Sequence, residues 1–435
     1  MLDMEETYGR GGGILADDMG LGKTLQSLAL IVNSMHEGTT LIVMPLSLLH
    51  QWRREIEEKI NLPLKVEVYH GSKRNNNIKP REFDIVLTTY GCVMEEFKKK
   101  TKGKKSIMME YKWLRIILDE CQWIKNQRTK TAEAVMKLKA RFRWCLSGTP
   151  IQNYQTELSG LFQFIQQSSN VLQLMPNWDY LRGYILRRTK EQVLDLPEKK
   201  IIKEIVKFSK HEKNHYRDVP DWVETQLPNI RSDKAYYLLL CLRLRQCADD
   251  PQICNPDWRT GQSSKQAEII EILQDIKREN STTKTVLFST FVPMLKEMAE
   301  IFKKHEWEYE LFDGSLKMDE RDKALKRFEH DKNCNLLLMS TKAGNVGLNL
   351  TCATRVILIE PWWNPFVENQ AMDRVHRIGQ REPVTIYRII MKRSIEEGIL
   401  HIQEQKKKMF KDTFGGIGGC PVKLTLKDMQ YMCSS

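Results

Sequence analysis

The sequence predicts an α/β fold made of two parallel-sheet lobes, and three observations carry that expectation. Short β-branched apolar segments alternate with amphipathic helical ones twice over along the 435 residues. A glycine-punctuated turn, of the kind that cradles phosphate, joins the first apolar segment to the first helix. The length exceeds what one compact core accommodates, while 41% hydrophobic residues suffice to fill two. The expected divisions are residues 1–190 for a first, nucleotide-binding lobe, 191–264 for a helical connecting segment, and 265–435 for a second lobe with a C-terminal helix and tail.

In the first half, strands are expected at Thr40–Met44, Lys65–Tyr69, Asp84–Thr88, Trp113–Leu118 and Arg143–Ser147. Helices at Thr24–Met35, Leu48–Lys59 and Thr129–Lys139 separate them. From Leu186 to Ser264 the strand signal fades into a charged, helix-rich stretch without a long glycine or proline linker. The alternation resumes with strands at Lys284–Ser289, Tyr309–Phe312, Asn335–Ser340, Arg355–Glu360 and Val384–Ile390. Two similar halves imply two lobes with a working cleft between them.

The run from Gly11 to Thr24 is the most informative stretch. Backbone N–H groups of Met19, Gly20, Leu21, Gly22, Lys23 and Thr24, with Asp18 just ahead, can converge on a polyphosphate. Lys23 can reach the outer phosphates, the Thr24 hydroxyl can hold Mg²⁺, and the helix that begins there adds its positive end. Asp17 stands where the generic pattern has a first glycine, and an ordinary turn before an amphipathic helix fits the run as well. A buried strand, Tyr111–Leu118, then leads into Asp119-Glu120-Cys121-Gln122. The first carboxylate suits Mg²⁺ and the second an attacking water, the alternative being a solvated acidic turn. In the second half, a glycine-containing turn follows a strand at Ser340–Leu350, and Gln370–Gln380 carries Arg374 and Arg377 three apart. That spacing puts both guanidinium groups on one helix face. They would stabilise charge developing on a transferred phosphoryl group, or else decorate an exposed charged helix.

Net charge is +12, from 68 Lys and Arg against 56 Asp and Glu, which points to a polyanionic partner. The lysine runs Lys98–Lys105 and Lys406–Lys411 lack interleaved aromatics and read as solvated surface. No apolar run approaches the ~20 residues of a membrane span, and Met1–Arg10 is polar and acidic rather than leader-like. The ten cysteines are scattered, several in apolar segments, and read as reduced core thiols. Cys241, Cys247 and Cys254 lack the close spacing of a zinc site.

The phosphate loop, Leu41–Leu46, Asp119–Gln122, Leu146–Asn153, Ser340–Leu350, Glu360-Pro-Trp-Trp-Asn-Pro365 and Gln370–Gln380 occur in the order found in Swi/Snf-type ATPases of helicase superfamily two. The chain resembles that family over nearly its whole length. It is most similar to the subgroup that often carries an inserted RING finger, through Trp144–Pro150, Leu242–Gln246 and Leu424–Met429, although no RING pattern is present. That family also writes its loop without the generic first glycine.

The resemblance implies two RecA-like lobes with ATP and Mg²⁺ as cofactors. Lys23 and Thr24 would bind phosphate and Mg²⁺, Asp119 the Mg²⁺, Glu120 the catalytic water, and Arg374 and Arg377 the γ-phosphate. Gln122 and Gly347 would join Asp18–Thr24 around the nucleotide, with Gln122 and Ser147–Thr149 coupling its state to lobe movement. Thr88–Tyr90, Thr290 and Thr341–Gly347 would lie along a nucleic-acid backbone. The implied function is ATP-dependent translocation on double-stranded DNA, in chromatin remodelling, protein displacement or DNA repair. The implied location is the nucleus, and nucleosomes or DNA-bound proteins are the implied partners. Two other readings use the same residues: a strand-separating helicase and an ATP-gated DNA-binding scaffold with weak hydrolysis. Three departures stand out. Asn345 replaces a second glycine, Cys121-Gln122 replaces the commoner Ala-His or Gly-His, and only ten residues precede Gly11, where the family has an adenine-reading glutamine.

Overall fold

The computed structural model describes residues 1–6, 11–71, 74–75, 77–148, 155–166, 183–226, 232–259, 261–341, 348–414 and 424–434. The chain forms two compact units, one within Met1–Asp195 and the other within Leu196–Thr413 together with the helix Leu426–Ser434.

The first unit is built on strands β1 (Gly12–Leu15), β2 (Thr40–Met44), β3 (Val66–Tyr69), β4 (Ile85–Thr89), β5 (Lys112–Asp119), β6 (Lys139–Leu146) and β7 (Ile185–Leu186). They form a parallel sheet in the order β3-β4-β2-β5-β6-β1-β7. Helices cover both faces, so the inner strands are continuous apolar runs, and every residue of β2 and β4 is buried. Alternate residues supply two cores. Leu41, Val43, Ile116 and Leu118 pack on one face with Trp113 and Phe162. Ile42, Met44, Ile117 and Trp144 pack on the other with Leu28 and Trp52. The glycines before the phosphate loop have a structural role as well. At Gly12, φ is +131° and an added Cβ would meet the Arg143 carbonyl oxygen at 1.9 Å, so only glycine lets β1 lie beside β6.

Deep in this unit Arg115, in the middle of β5, is fully buried and forked onto Glu5, with Nε and Nη2 at 2.7 and 2.6 Å from the carboxylate oxygens. Trp144 Nε1 donates to the same carboxylate at 2.7 Å, and Ser34 Oγ accepts from Arg115 Nη2 at 2.9 Å. This network fastens the Leu2–Glu5 turn of helix to the central strand.

The second unit has strands β8 (Lys199–Val206), β9 (Thr285–Ser289), β10 (Tyr309–Phe312), β11 (Leu336–Ser340), β12 (Arg355–Leu358) and β13 (Val384–Met391). They are parallel in the order β10-β11-β9-β12-β13-β8. Strand β8 corrects the sequence reading, which assigned its segment to a helix-rich stretch. In Lys-Lys-Ile-Ile-Lys-Glu-Ile-Val the apolar residues recur at i, i+1, i+4 and i+5, a helical period in a charged background. Pairing with β13 at all eight positions decides the outcome. The helices Lys210–Gln226, Asp233–Asp249 and Ser264–Glu279 follow it.

Glu5→Ala strands the Arg115 guanidinium in the core and is expected to destabilise the first unit by about 3–5 kcal/mol. Arg53→Ala breaks only the exposed pair with Glu57 and is expected to cost under about 1 kcal/mol. Urea unfolding followed by tryptophan fluorescence separates the two.

Candidate functional site

The turn Asp17–Gly22 runs from the carboxyl end of β1 into the helix Lys23–Asn33, with Gly20 and Gly22 in the left-handed region at φ +87° and +70°. Met19, Leu21 and Thr24 lie on this turn and the first helical residues as the sequence predicted. The Lys23 ammonium group donates to the carbonyl oxygens of Asp17 at 2.7 Å and Asp18 at 3.2 Å. Burial lowers the Lys23 pKa, opposed by the charges of Glu120, Asp119, Asp17 and Asp18.

Asp17, unplaced by the generic loop pattern, is a wholly buried anchor. Its Oδ1 accepts from the backbone N–H of Arg188 at 2.9 Å and from Nε at 3.2 Å, and Arg188 Nη2 reaches Oδ2 at 2.5 Å. Gln26 Nε2 donates to the same carboxylate at 3.0 Å. Asp18 accepts from the Lys190 N–H at 3.2 Å and pairs with Arg187 at 3.6 Å. The loop is thereby tied to the segment that follows β7. Sequence reasoning missed Arg187 and Arg188, although the charge complementarity of Asp17-Asp18 with Arg187-Arg188 was there to be read.

Strand β5 ends on Asp119, where the Trp52 indole donates to Oδ2 at 2.7 Å and the Glu120 N–H to Oδ1 at 2.9 Å. Burial, with the Glu120 charge adding to it, pushes Asp119 up to about 6 against those hydrogen bonds and Lys23. Glu120 sits in the left-handed region at φ +49°, ψ +54°. Its carboxylate accepts from Gln122 Nε2 at 2.7 Å, and Gln122 Oε1 accepts from Ser147 Oγ at 3.4 Å. Tyr90 donates to the Asp119 carbonyl at 2.8 Å and stacks on Trp123. The Thr88 hydroxyl donates to the Tyr69 carbonyl at 2.9 Å and the Thr89 oxygen accepts from the Cys92 N–H at 3.3 Å, so both hydroxyls are engaged within the unit.

In the second unit, Arg374 and Arg377 do not share a helix face. The helix Pro365–Val375 stops before Arg377. Gln380 Nε2 donates to the carbonyls of Val375, Thr351 and Ala353 at 3.2, 3.2 and 2.9 Å, closing the helix end and turning the chain away. Arg374 is buried in the last turn, and Arg377 donates from Nη1 to the Leu348 carbonyl at 3.1 Å. Gly347, Thr149 and residues 342–346 lie outside the described residues. Sequence reasoning took Arg245 only as part of the Leu242–Gln246 signature and gave it no role; its buried guanidinium lies 4.4 Å from the Trp362 ring centroid and donates to Thr290 Oγ1 at 3.1 Å. The Thr290 hydroxyl in turn donates to Glu360 at 2.5 Å. Burial, with Asp249 nearby, pushes Glu360 up to about 8.

The first-unit site fits a nucleotide with its metal. An added Cβ at Gly148 would meet Met19 Cγ at 2.7 Å and Lys23 Nζ at 3.6 Å, so only a bare backbone fits beside the loop. The Asp119 carboxylate at the end of β5 is the kind of hard oxygen donor that Mg²⁺ prefers. Loop, ammonium and paired carboxylates at the carboxyl ends of parallel strands make this the core of a nucleotide-hydrolysing enzyme. Residues 1–180 match the SNF2-related domain and residues 264–379 the helicase conserved C-terminal domain. The chain belongs to the SNF2-related family.

Its relatives include the DNA repair protein RAD5B of Arabidopsis thaliana, 28% identical over 92% of this chain and 45% of that protein. The SWI/SNF-related matrix-associated actin-dependent regulator of chromatin subfamily A member 1 of Mus musculus is 31% identical over 91% of this chain and 41% of its own length. The probable global transactivator of Orgyia pseudotsugata multicapsid polyhedrosis virus is 33% identical over 91% of this chain and 85% of that protein. The chain therefore spans less than half of the two cellular relatives.

Arg188→Ala leaves the buried Asp17 carboxylate without its guanidinium and weakens the tie between the loop and the segment after β7. ATP affinity is expected to fall about tenfold, the equivalent of one charge-assisted hydrogen bond. Fluorescent-nucleotide titration measures it, with Arg188→Lys recovering part of the loss.

Proposed function

We propose that the chain is an ATP-driven motor that moves along double-stranded DNA without separating its strands. Lys23 carries phosphate charge together with the loop N–H groups of Asp18–Thr24. Thr24 and Asp119 are the residues that would hold Mg²⁺, which when bound neutralises charge across the β- and γ-phosphates. Glu120 orients water and accepts its proton on a carboxylate oxygen, with Gln122 fixing that oxygen and Ser147 fixing Gln122. Gly347 joins the nucleotide-binding set, and Arg374 and Arg377 supply cationic charge to the departing γ-phosphoryl group. The observation that carries hydrolysis is the unbroken chain of hydrogen bonds from Ser147 through Gln122 to Glu120. It links the carboxylate to the segment after β6, a route by which nucleotide state reaches the rest of the unit.

Translocation rather than strand separation is favoured by one feature of the second unit. Between β12 and β13 the chain makes only the Pro365–Val375 helix and a turn, with no hairpin to act as a wedge. The +12 charge suits a sequence-independent grip on phosphates. The work proposed is chromatin remodelling, displacement of DNA-bound proteins or DNA repair, in a nucleus, with nucleosomes among the candidate substrates.

Lys23→Ala and Glu120→Gln are each expected to abolish turnover, with nucleotide binding kept in Glu120→Gln and lost in Lys23→Ala. Equal loss of affinity in both would contradict the separate roles. Arg377→Ala is expected to lower kcat on the order of 10³-fold. ATPase rates with duplex and single-stranded DNA, combined with displacement of a third strand from a triplex, test the motor itself. ATP-driven opening of a forked duplex would instead make the protein a helicase.

A further inference from the structure

Thiols meet in pairs at several places among the described residues. Cys121 lies against Cys145 in the first unit and Cys247 against Cys254 in the second, and all four are buried. A further pair differs. Cys241, on the helix Asp233–Asp249, is 4% exposed, and its Sγ stands 3.3 Å from that of Cys433, on the helix Leu426–Ser434. Cys433 is half-buried, so this pair reaches the surface.

The two sulfurs join elements far apart in the chain. Met429 and Met432 seat the nine-residue helix Leu426–Ser434 in a core shared with Leu240, Leu244 and Ile399, and Lys406 pairs with its Asp428 at 3.8 Å. A helix this short has little stability of its own and depends on such packing. Its hydrogen bond with Cys433 lowers the Cys241 pKa, against burial and with the Arg245 charge adding to it, and the same contact raises that of Cys433. The thiolate therefore forms more readily at Cys241, with Cys433 as its proton donor.

We propose that Cys241 and Cys433 form an oxidation site for peroxides, closing to a reversible disulfide that clamps the Leu426–Ser434 helix onto the Asp233–Asp249 helix. With hydrogen peroxide, the Cys241 thiolate attacks one oxygen and breaks the O–O bond. The departing hydroxide takes the Cys433 proton, which leaves water, a sulfenic acid on Cys241 and a thiolate on Cys433. That thiolate attacks the Cys241 sulfur, forming the S–S bond and displacing hydroxide, which recovers the proton Cys241 had lost to solvent. Two thiols are oxidised and one peroxide is reduced to two waters. Closing from 3.3 Å to a disulfide asks the sulfurs to move by about 1 Å. A dithiol reverses the reaction by exchange and is itself oxidised to a disulfide. The site shares no residue with those assigned to ATP or DNA.

The test oxidises the full chain with hydrogen peroxide, alkylates the remaining thiols after unfolding, and separates tryptic peptides without reductant. The expected product is Ala235–Arg243 joined to Asp428–Ser435, two hydrogens lighter than the separate peptides and split by dithiothreitol. Cys121, Cys145, Cys247 and Cys254 should be recovered alkylated. Amide exchange across Leu426–Ser434, followed by mass spectrometry, should slow at least about tenfold on oxidation and recover on reduction. Cys433→Ser should lose both effects while keeping the Tm of the reduced protein, which separates loss of the site from unfolding. Treatment that leaves Cys241 and Cys433 unlinked, or pairs either with another cysteine, overturns the proposal, as does a disulfide that leaves exchange unchanged.

Discussion

The register of β5 against β6 is the constraint on which the first unit's chemistry depends. Asp119 is paired with Leu146, so the residues that follow each strand emerge side by side at one edge of the sheet. Glu120 and Gln122 come from one, Ser147 from the other, and the hydrogen bonds between them follow from that adjacency. A slip of one residue would turn every inward side chain of β5 to the wrong face. The buried fork of Arg115 onto Glu5 opposes such a slip, because a guanidinium moved off its carboxylate would be left charged in an apolar core. Stability and site geometry are thus set by the same strand.

What the sequence made legible, and what it did not, divides along the range of the interactions. Strands buried on both faces announce themselves as continuous β-branched runs. Thr40–Met44 is such a strand and falls where the reading put it, as does the half-buried Tyr309–Phe312, while others are shifted by a residue or more at their ends. Strand β8 escaped because its isoleucines sit at helical spacing, and only pairing with β13, almost two hundred residues on, reveals its conformation. The arginine pair failed for a related reason. Three-residue spacing implies a shared face only while the helix continues, and here the helix ends at Val375, before Arg377, with Gln380 bonded to the carbonyl of its last residue.

Charge placement was similarly half legible. Asp17 read as a defect in a glycine pattern, yet it is the residue that closes the loop onto Arg188 and Gln26. Arg245 read as part of a family signature, yet its physical work is to lie against Trp362 while bonded to Thr290. Both are long-range partnerships between a charged group and a distant segment, separated by 171 and 45 residues in the chain. Local periodicity carries no information about such pairs. Charge complementarity between motifs does, once a sheet order brings the motifs together.

Glu120 shows how the fold stores strain at the place where chemistry is done. A non-glycine residue in the left-handed region costs on the order of 1 kcal/mol or more and persists only when its surroundings hold it there. Here the hold is visible on both sides. The Glu120 N–H is bonded to the Asp119 carboxylate and its own carboxylate to Gln122, so the backbone turn and the side chain are fixed independently. An extended strand would send two adjacent carboxylates to opposite faces of the sheet, whereas the left-handed turn keeps Glu120 close enough for its charge to act on Asp119. It lets Asp119 stay under Trp52 while Glu120 meets Gln122, two environments for two acidic groups one residue apart. That difference is the physical ground for the proposal that one carboxylate serves a metal ion and the other a proton.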